Sequence, residues 1–290
     1  MSGKFRGISK SFFIYADFED SFRKAGLNSI DKIFAFKAGK DLSKDNLASY
    51  RRRIQFQLDK PPITLFLKRY DNPPILVQLK NWLSLRKRAS CALLDFKPTR
   101  KLSAAGINTA RTVCYGEEWG FFFEKRSFCI TEKIAEAESL ERKLPEYFTV
   151  VDKPVKLKQR RDFIKRLANF IRKFHETGYR HRDLYFSHVF LDGREKFYLI
   201  DLARAFEPLV FCEKFRIKDI AQIFYSAPAK YFSKTDRLRF YLRYAAIKRL
   251  TTKDKSFIRK VLKKTKRMAR HDIKHGRIVP FQSSTDSRRM

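Results

Sequence analysis

The 290-residue chain has only 10 glycines, 4 cysteines, 3 methionines and 2 tryptophans. No Gly-x-Gly-x-x-Gly occurs, so a loop that covers phosphates would have to work without that signature. Cys91, Cys114, Cys129 and Cys212 lie far apart and form no Cys-x-x-Cys pair, which argues against a zinc ribbon. Their apolar neighbours suggest buried thiols in a reducing compartment. No stretch reaches eighteen apolar residues, so no spanning helix is expected and any membrane contact is peripheral. The opening Met1-Ser2-Gly3-Lys4-Phe5-Arg6 lacks the apolar run of a signal peptide. No internal repeat is found. Acids are scarce too: 31 Asp and Glu face 65 Lys and Arg, a formal net charge of +34. That excess suits an anionic partner, whether nucleic acid, an anionic membrane face or a phosphorylated glycolipid, and does not choose among them.

Apolar material is abundant. Hydrophobic residues make up 43% of the chain, aromatics 15%, with 29 phenylalanines, enough for a substantial core. A mass of 34.5 kDa allows one large domain or two lobes with a cleft. The most informative stretch is Tyr179-Arg180-His181-Arg182-Asp183-Leu184-Tyr185-Phe186-Ser187-His188-Val189-Phe190-Leu191. Before it, Phe163, Ile164, Leu167, Phe170, Ile171 and Phe174 recur at helical spacing, and Gly178 ends that helix. After it, Lys196 to Asp201 reads as an apolar strand ending in a carboxylate. A polar loop in so apolar a frame suggests a site; a solvated turn is the plain alternative. Asp201 follows Asp183 by eighteen residues. His181-Arg182-Asp183, an apolar strand and a second aspartate form the two-acid core of a kinase-like phosphotransferase. Asp183 would accept the acceptor hydroxyl's proton, and Asp201 would hold the magnesium that bridges nucleotide phosphates.

Residues 10 to 70 read mainly as strands, among them Ser11 to Phe18 and Lys32 to Lys37. Arg53 to Leu58 and Ile63 to Tyr70 form a hairpin about Asp59-Lys60-Pro61-Pro62. Its second strand carries Lys68, the candidate for the α- and β-phosphates; a lysine at a strand end beside Arg69 is the ordinary alternative. Ala38 to Ser49, with Gly39, is the candidate phosphate-covering loop. Pro73 to Arg88 carries an apolar stripe edged by Lys80, Arg86, Lys87 and Arg88, either a core-packing helix or an interfacial one. In the helix Ala89 to Ala105, ended by Gly106, Asp95 is the candidate partner for Lys68, and Pro98 is a possible break. Thr112 to Tyr115 and Arg126 to Ile134 read as strands, the second an edge strand whose backbone near Glu132 and Ile134 could bond adenine. The lobe boundary is placed here, giving 1-134 and 135-290. Glu136 to Lys143 begins a helix, and Lys156 to Thr177 is the long one. Asp219 could hold the His181–Asp183 loop through its N–H groups or serve as a helix N-terminal acid. The short segment between Asp201 and Asp219 argues for a non-peptide acceptor. From Arg237 to Arg277, sixteen Lys or Arg face two acids, Asp254 and Asp272, on a pattern of two packed basic helices. Ser283 to Met290 reads as frayed.

His181-Arg182-Asp183-Leu184-Tyr185 with His188 resembles the Kdo/WaaP lipopolysaccharide kinases. Phe66-Leu67-Lys68-Arg69-Tyr70, the helix ending at Gly106, Ser127 to Glu132 and Ile200-Asp201-Leu202-Ala203 extend the likeness over most of the chain. Typical protein kinases have asparagine where His188 stands. The resemblance implies an α+β, eukaryotic-protein-kinase-like bilobal fold with a β-rich N-lobe and a mostly helical C-lobe. It implies ATP and Mg2+ as cofactors and a core sugar, heptose or Kdo, as acceptor. It makes Asp183 the base within His181-Arg182-Asp183, Asp201 the magnesium ligand, His188 a second ligand or a brace, and Lys68 the phosphate-pairing lysine. Asp95 stands where the family usually has glutamate. The partners implied are lipopolysaccharide core or another anionic glycolipid and an anionic membrane surface, rather than nucleic acid. The place implied is the cytoplasmic face of a bacterial inner membrane. The competing readings are an atypical protein kinase, which the missing Ala-Pro-Glu motif disfavours, and a non-catalytic basic scaffold for lipid or nucleic acid. A metal hydrolase built on His181, His188, Asp183 and Asp201 is a further one, disfavoured by the lack of a helical His-x-x-x-His pair.

Overall fold

A computed structural model describes residues 5–9, 12–43, 48–59, 62–85, 87–148 and 153–280. Ser11, the middle of the candidate phosphate loop (Lys44 to Leu47), Lys60-Pro61, Arg86 and the Ser283 to Met290 tail lie outside the described residues. Contacts divide the chain into two compact units: Met1–Ala104, Thr109–Ala135 and Asp201–Arg204 form one, and Ala105–Asn108, Glu136–Ile200 and Ala205–Met290 the other.

In the first unit the described strands are β1 (Phe5–Ser9), β2 (Phe12–Tyr15), β3 (Lys40–Asp41), β4 (Arg51–Leu58), β5 (Ile63–Asp71), β6 (Thr112–Trp119) and β7 (Glu124–Glu132). They form one antiparallel sheet in the order β1-β2-β6-β7-β5-β4-β3. Alternation sorts its two faces. Phe12, Ile14, Ile54, Phe56, Leu65, Leu67, Phe128 and Ile130 point to a core closed by α1 (Glu19–Lys24) and α2 (Ile30–Ala35). Each fully buried Phe or Leu there contributes on the order of 1.5–3 kcal/mol. Tyr70, Tyr115 and Cys129 point the other way, with Cys91, Ala92 and Phe96 packed against them.

Two expectations change here. Lys32 to Lys37 is not a strand: it belongs largely to α2, whose N-terminus is capped by Ser29 accepting from the Lys32 N–H at 3.3 Å. Six residues are too few to display a period, so the apolar run alone could not separate helix from strand. The strand ending near Glu132 is not at an edge, because β7 is hydrogen-bonded on both sides, to β6 and β5. Phe128, Cys129 and Ile130 are all buried, as a central strand requires.

Adjacent basic residues in β5 part company. Arg69, 6% exposed, donates from Nη1 to the carbonyls of Ile33, Phe34 and Phe36 at 3.0, 2.7 and 2.9 Å. It thereby satisfies the loose carbonyls at the end of α2, while Lys68 faces the opposite side of the sheet. α3 (Ile75–Leu85) is fixed by Gln78, which donates to the Pro73 and Glu124 carbonyls and accepts from the Glu124 N–H at 2.7 Å. Trp82 stacks on Phe123 with ring centroids 5.7 Å apart. The helix is apolar on its outer side too: Leu76 and Leu83 are 80% and 81% exposed, and Phe121 in the β6–β7 turn is 89% exposed. α4 (Leu93–Ala104) runs through Pro98 without breaking, and the Thr99 hydroxyl donates to the Asp95 carbonyl at 2.7 Å.

In the second unit, β8 (Glu138–Ser139), β9 (Val189–Leu191) and β10 (Phe197–Leu199) form a small antiparallel sheet in the order β10-β9-β8. The helix expected from Glu136 starts later, as α5 (Leu140–Tyr147), because Glu138 and Ser139 pair with β9. α6 (Lys153–Glu176) buries Phe163, Ile164, Leu167, Ile171 and Phe174 along one stripe, and Gly178 follows at φ +88°. α7 (Cys212–Ser226) buries every residue from Asp219 to Tyr225. α8 (Lys234–Tyr244) packs on α6, and α9 (Thr252–Lys274) packs on α7. Both begin with a reciprocal capping box, Ser233 with Asp236 and Thr251 with Asp254. Cys91, Cys114 and Cys129 are buried as expected; Cys212, at the start of α7, is exposed instead.

Candidate active site

Lys68 is the centre of the first unit's site. The β4–β5 register places it directly opposite Arg53, on the face away from the α1/α2 core. Its Nζ lies 2.7 Å from Asp95 Oδ2 and 3.1 Å from Asp201 Oδ1. Arg53 Nη2 lies 3.6 Å from the other oxygen of Asp201. Asp95, on the first turn of α4, is 5% exposed. Burial alone would lower the Lys68 pKa, but the charges of Asp95 and Asp201 reverse the sign and hold it above its ordinary value. Lys68 is therefore a permanent cation. Asp201 holds φ +56°, a left-handed backbone that costs an aspartate of order 1 kcal/mol or more and persists only where surroundings impose it.

Gly39 sits at φ +101° as the chain enters β3, where a Cβ would fall 2.4 Å from the Gln55 carbonyl oxygen. Only glycine fits there, for a reason that lies in the strand pairing itself. Glu132 ends β7, and its N–H donates to the Arg111 carbonyl at 2.8 Å. Ile134, half-buried, follows two residues later.

The second unit's site is a loop held by one helix. Asp219, fully buried, lies two turns inside α7 and not at its N-terminus. Its carboxylate accepts from the main-chain N–H groups of His181 and Arg182, each at 2.8 Å. Of the two roles open to it, the first is the one observed. Gln222 accepts from Leu184 N–H at 2.9 Å and donates to the Arg182 carbonyl at 2.9 Å. Ser226 accepts from Phe186 N–H at 3.1 Å. Asp219, Gln222 and Ser226 share one face of α7 and together fix the main chain around Asp183. Arg182 takes φ +70° within this clamp.

His188 meets the Asp183 carbonyl through Nδ1 at 2.7 Å, so that nitrogen is the donor of the pair. The His181 ring stacks on that of His188 at 5.8 Å, and its Nε2 donates to the Ile200 carbonyl at 3.1 Å. Burial holds the His181 pKa below its ordinary value, so it is a neutral donor. His175 of α6 meets Asp219 through Nε2 at 3.2 Å and the Tyr244 hydroxyl through Nδ1 at 2.8 Å. Burial favours the uncharged form of Asp219, but the hydrogen bond and charge of His175, with the His181 contacts, outweigh it and keep the carboxyl below its ordinary value.

Among the described residues, no group of three or more His, Cys, Asp and Glu side chains is gathered to hold a metal ion. Arg53, His175, Gln222 and Ser226 join the site residues singled out above. The signal for Arg53 was the hairpin register; for Gln222 and Ser226 it was a polar row, at i, i+3 and i+7 from Asp219, on a helix otherwise apolar in that stretch.

A β-sheet unit with a lysine between two carboxylates, followed by a helical unit with a clamped His-Arg-Asp loop, is the protein-kinase-like class of phosphotransferase. A model of that class, the lipopolysaccharide kinase (Kdo/WaaP) family, matches residues 79–244. The chain is 30% identical over 197 residues to the lipopolysaccharide core heptose(I) kinase WaaP of Escherichia coli K12, covering 66% of this chain and 72% of that protein. It is 27% identical over 172 residues to the WaaP of Pseudomonas aeruginosa, covering 57% and 63% respectively. A solved structure of WaaP in complex with acyl carrier protein superposes with a TM-score of 0.65 at 21% identity, covering 88% of this chain and 98% of that one. The chain belongs to the lipopolysaccharide kinase (Kdo/WaaP) family. As a member it is a kinase, and kinases use ATP.

Proposed function

We propose that this kinase transfers the γ-phosphoryl group of ATP to a hydroxyl of a lipopolysaccharide core sugar, heptose or Kdo. The observation that carries the reading is Lys68, its ammonium held between Asp95 and Asp201. Residues 1–134 would serve as the nucleotide lobe and 135–290 as the acceptor lobe. Lys68 neutralises the α- and β-phosphates while Asp95 fixes its ammonium. The hairpin entered at Gly39 covers the phosphates, and the backbone from Glu132 to Ile134 receives adenine. Asp183 accepts the proton of the sugar hydroxyl, with His181 and Arg182 holding the loop and Asp219 holding both. Magnesium typically takes one or two carboxylates and completes its shell with phosphates and water, and Asp201 offers one partly exposed carboxylate. Asp201 would hold the ion, with the Nε2 of His188 as a second ligand or a brace; when bound it would supply further neutralisation of the phosphates.

No described helix is long and apolar enough to cross a membrane. The acceptor would be met at the cytoplasmic face of a bacterial inner membrane, with the chain peripheral on it. Leu76, Leu83, Phe121 and Phe122 of the first unit, and Leu209, Val210 and Phe211 of the second, are each more than 60% exposed. Exposed apolar groups on a protein of net charge +34 suit an anionic bilayer. The test is phosphoryl transfer from labelled ATP to a soluble core oligosaccharide and to the same core on vesicle-embedded lipid A. Wild type should modify both. Asp183→Asn should lose roughly 10²- to 10⁴-fold on both while keeping nucleotide affinity. Leu76→Glu with Phe121→Glu should lose only the vesicle reaction. Near-normal turnover by Asp183→Asn rejects the base; equal losses in the double variant reject the membrane surface.

A further inference from the structure

Within the second unit, α6, α7, α8, the chain leading on to α9 and the start of α9 line an open cavity of about 380 Å³ to which the proposed reaction assigns nothing. Arg172 and Arg180 line it from α6 and just beyond, and Arg216 lines it from α7. All three bury their Nε atoms, and none of the three finds a hydrogen-bond acceptor.

Glu176 and Asp254 line the same cavity, but each has a partner of its own. Glu176 lies 3.6 Å from Arg172 Nε. Asp254 accepts from the Tyr241 hydroxyl at 2.8 Å and from the Thr251 N–H at 2.9 Å. Arg180 spends Nη1 on the carbonyls of His175 and Tyr179, and Arg216 lies over the Phe257 ring at 4.7 Å. Among the described residues neither has a carboxylate within ion-pair distance. Two guanidiniums that share a cavity and have no carboxylate within ion-pair distance repel each other, and a bound anion would relieve that repulsion. Guanidinium forks match phosphate oxygens in pairs. Tyr241, Tyr244 and Phe257 supply an aromatic wall beside them.

We propose that this cavity binds a small phosphate monoester, its phosphate between Arg180 and Arg216 and its organic part against the aromatic wall. The site reaches the catalytic loop through two of its own lining residues. His175 connects Tyr244 to Asp219, which holds the His181 and Arg182 N–H groups. Arg180 pairs through its backbone with Phe206 in both directions, at 2.8 and 3.0 Å. A ligand that fastens Arg180 and the Tyr244–His175 contact steadies the segment that carries Asp183, so the cavity is an effector site.

The test is a binding measurement, independent of phosphoryl transfer. The full chain is saturated with a non-hydrolysable ATP analogue and magnesium, so that Lys68 is occupied. Phenyl phosphate, inorganic phosphate and phenol are then titrated at constant ionic strength, read by calorimetry and by melting temperature. Phenyl phosphate should bind at one site and raise the melting temperature, inorganic phosphate should bind more weakly, and phenol should do nothing. Arg216→Gln should weaken phenyl phosphate by about tenfold or more, the worth of one lost charge-assisted hydrogen bond, with nucleotide affinity unchanged. If that variant does not fold, Arg216→Lys, which keeps one positive charge but loses the guanidinium fork, carries the same comparison. No binding by the wild type, or equal binding by wild type and the folded variant, overturns the proposal.

Discussion

In the first unit the candidate groups hold one another: Lys68 lies 2.7 Å from Asp95 and 3.1 Å from Asp201, and Arg53 lies 3.6 Å from Asp201. In the second unit the candidate loop is held from outside, by three side chains of α7 that take the N–H groups of His181, Arg182, Leu184 and Phe186. A charge cluster of the first kind is sensitive to whatever enters it, because phosphate or a cation competes with the protein for the same partners. A main-chain clamp of the second kind offers an entering phosphate or cation no charged partner to compete for. The first arrangement suits binding a polyanion. The second suits holding a base at a fixed place, where small displacements cost rate.

The clamp should break hardest. Asp219→Ala removes a buried carboxylate and orphans two loop N–H groups and His175 at once. We expect a loss of roughly 3–5 kcal/mol in denaturant unfolding, as for breaking a buried charged network. A loss below about 1 kcal/mol would show that the clamp is not structural. The charge cluster should break more gently and more specifically. Asp201→Ala should leave the melting temperature of the ligand-free protein nearly unchanged, since its side chain is 28% exposed, but abolish the magnesium dependence of nucleotide binding. We expect nucleotide affinity with magnesium to fall by about 1.5–3 kcal/mol, the range for hydrogen bonds to charged groups. Equal magnesium dependence in wild type and variant would reject the role.

The two regions were unequally legible in the sequence. Asp183 and Asp201 stand out as candidates because each follows an apolar helix or strand, and Lys68 because it lies within an apolar strand. The order of strands is not legible: Arg126 to Ile134 reads as an edge strand, whereas β7 lies between β6 and β5. Sheet order depends on which apolar faces meet, and residues far apart in sequence decide that. Pro98 read as a break, yet α4 passes through it, its packing against β6 and β7 evidently worth more than the lost bond. Lys68 and Arg69 could not be told apart by type; only the parity of the strand sends one to the site and the other to the end of α2. Arg53 was legible in principle. The register pairs Leu58 with Ile63 and, five steps back, Arg53 with Lys68.

The clamp should also respond to pH, more weakly. Burial holds His175 and His181 below their ordinary pKa, against the opposing charge of Asp219 on both. Arg180 and Arg216 push His175 the same way as burial. The unfolded chain therefore binds more protons than the folded one just below the ordinary histidine value of 6.5. Stability from these groups is complete above that pH and is lost as pH falls through it towards the lowered folded values. Melting temperature should drop between pH 7.5 and 5.5, and His175→Gln should flatten the slope, although its absolute stability is lower. An unchanged slope in the variant would remove His175 from this role.

The smallest effect concerns Arg53, and it separates two kinds of cation within the first unit. Lys68 lies between two carboxylates and is mostly buried, whereas the Arg53 side chain is 36% exposed and meets Asp201 only at 3.6 Å. A pair so placed is screened and contributes roughly 0.2–1 kcal/mol. Arg53→Gln should therefore leave unfolding stability within experimental error. If Arg53 only tethers Asp201, nucleotide affinity should also be unchanged. If instead it turns from Asp201 to the phosphates when ATP binds, Arg53→Gln should weaken ATP by up to about fivefold, AMP hardly at all, and the difference should shrink at high salt. We expect the second result, because the register sets Arg53 beside Lys68 on the face proposed to meet the phosphates. Equal weakening of ATP and AMP would assign Arg53 to the sheet and leave Lys68 as the phosphate cation of this strand pair.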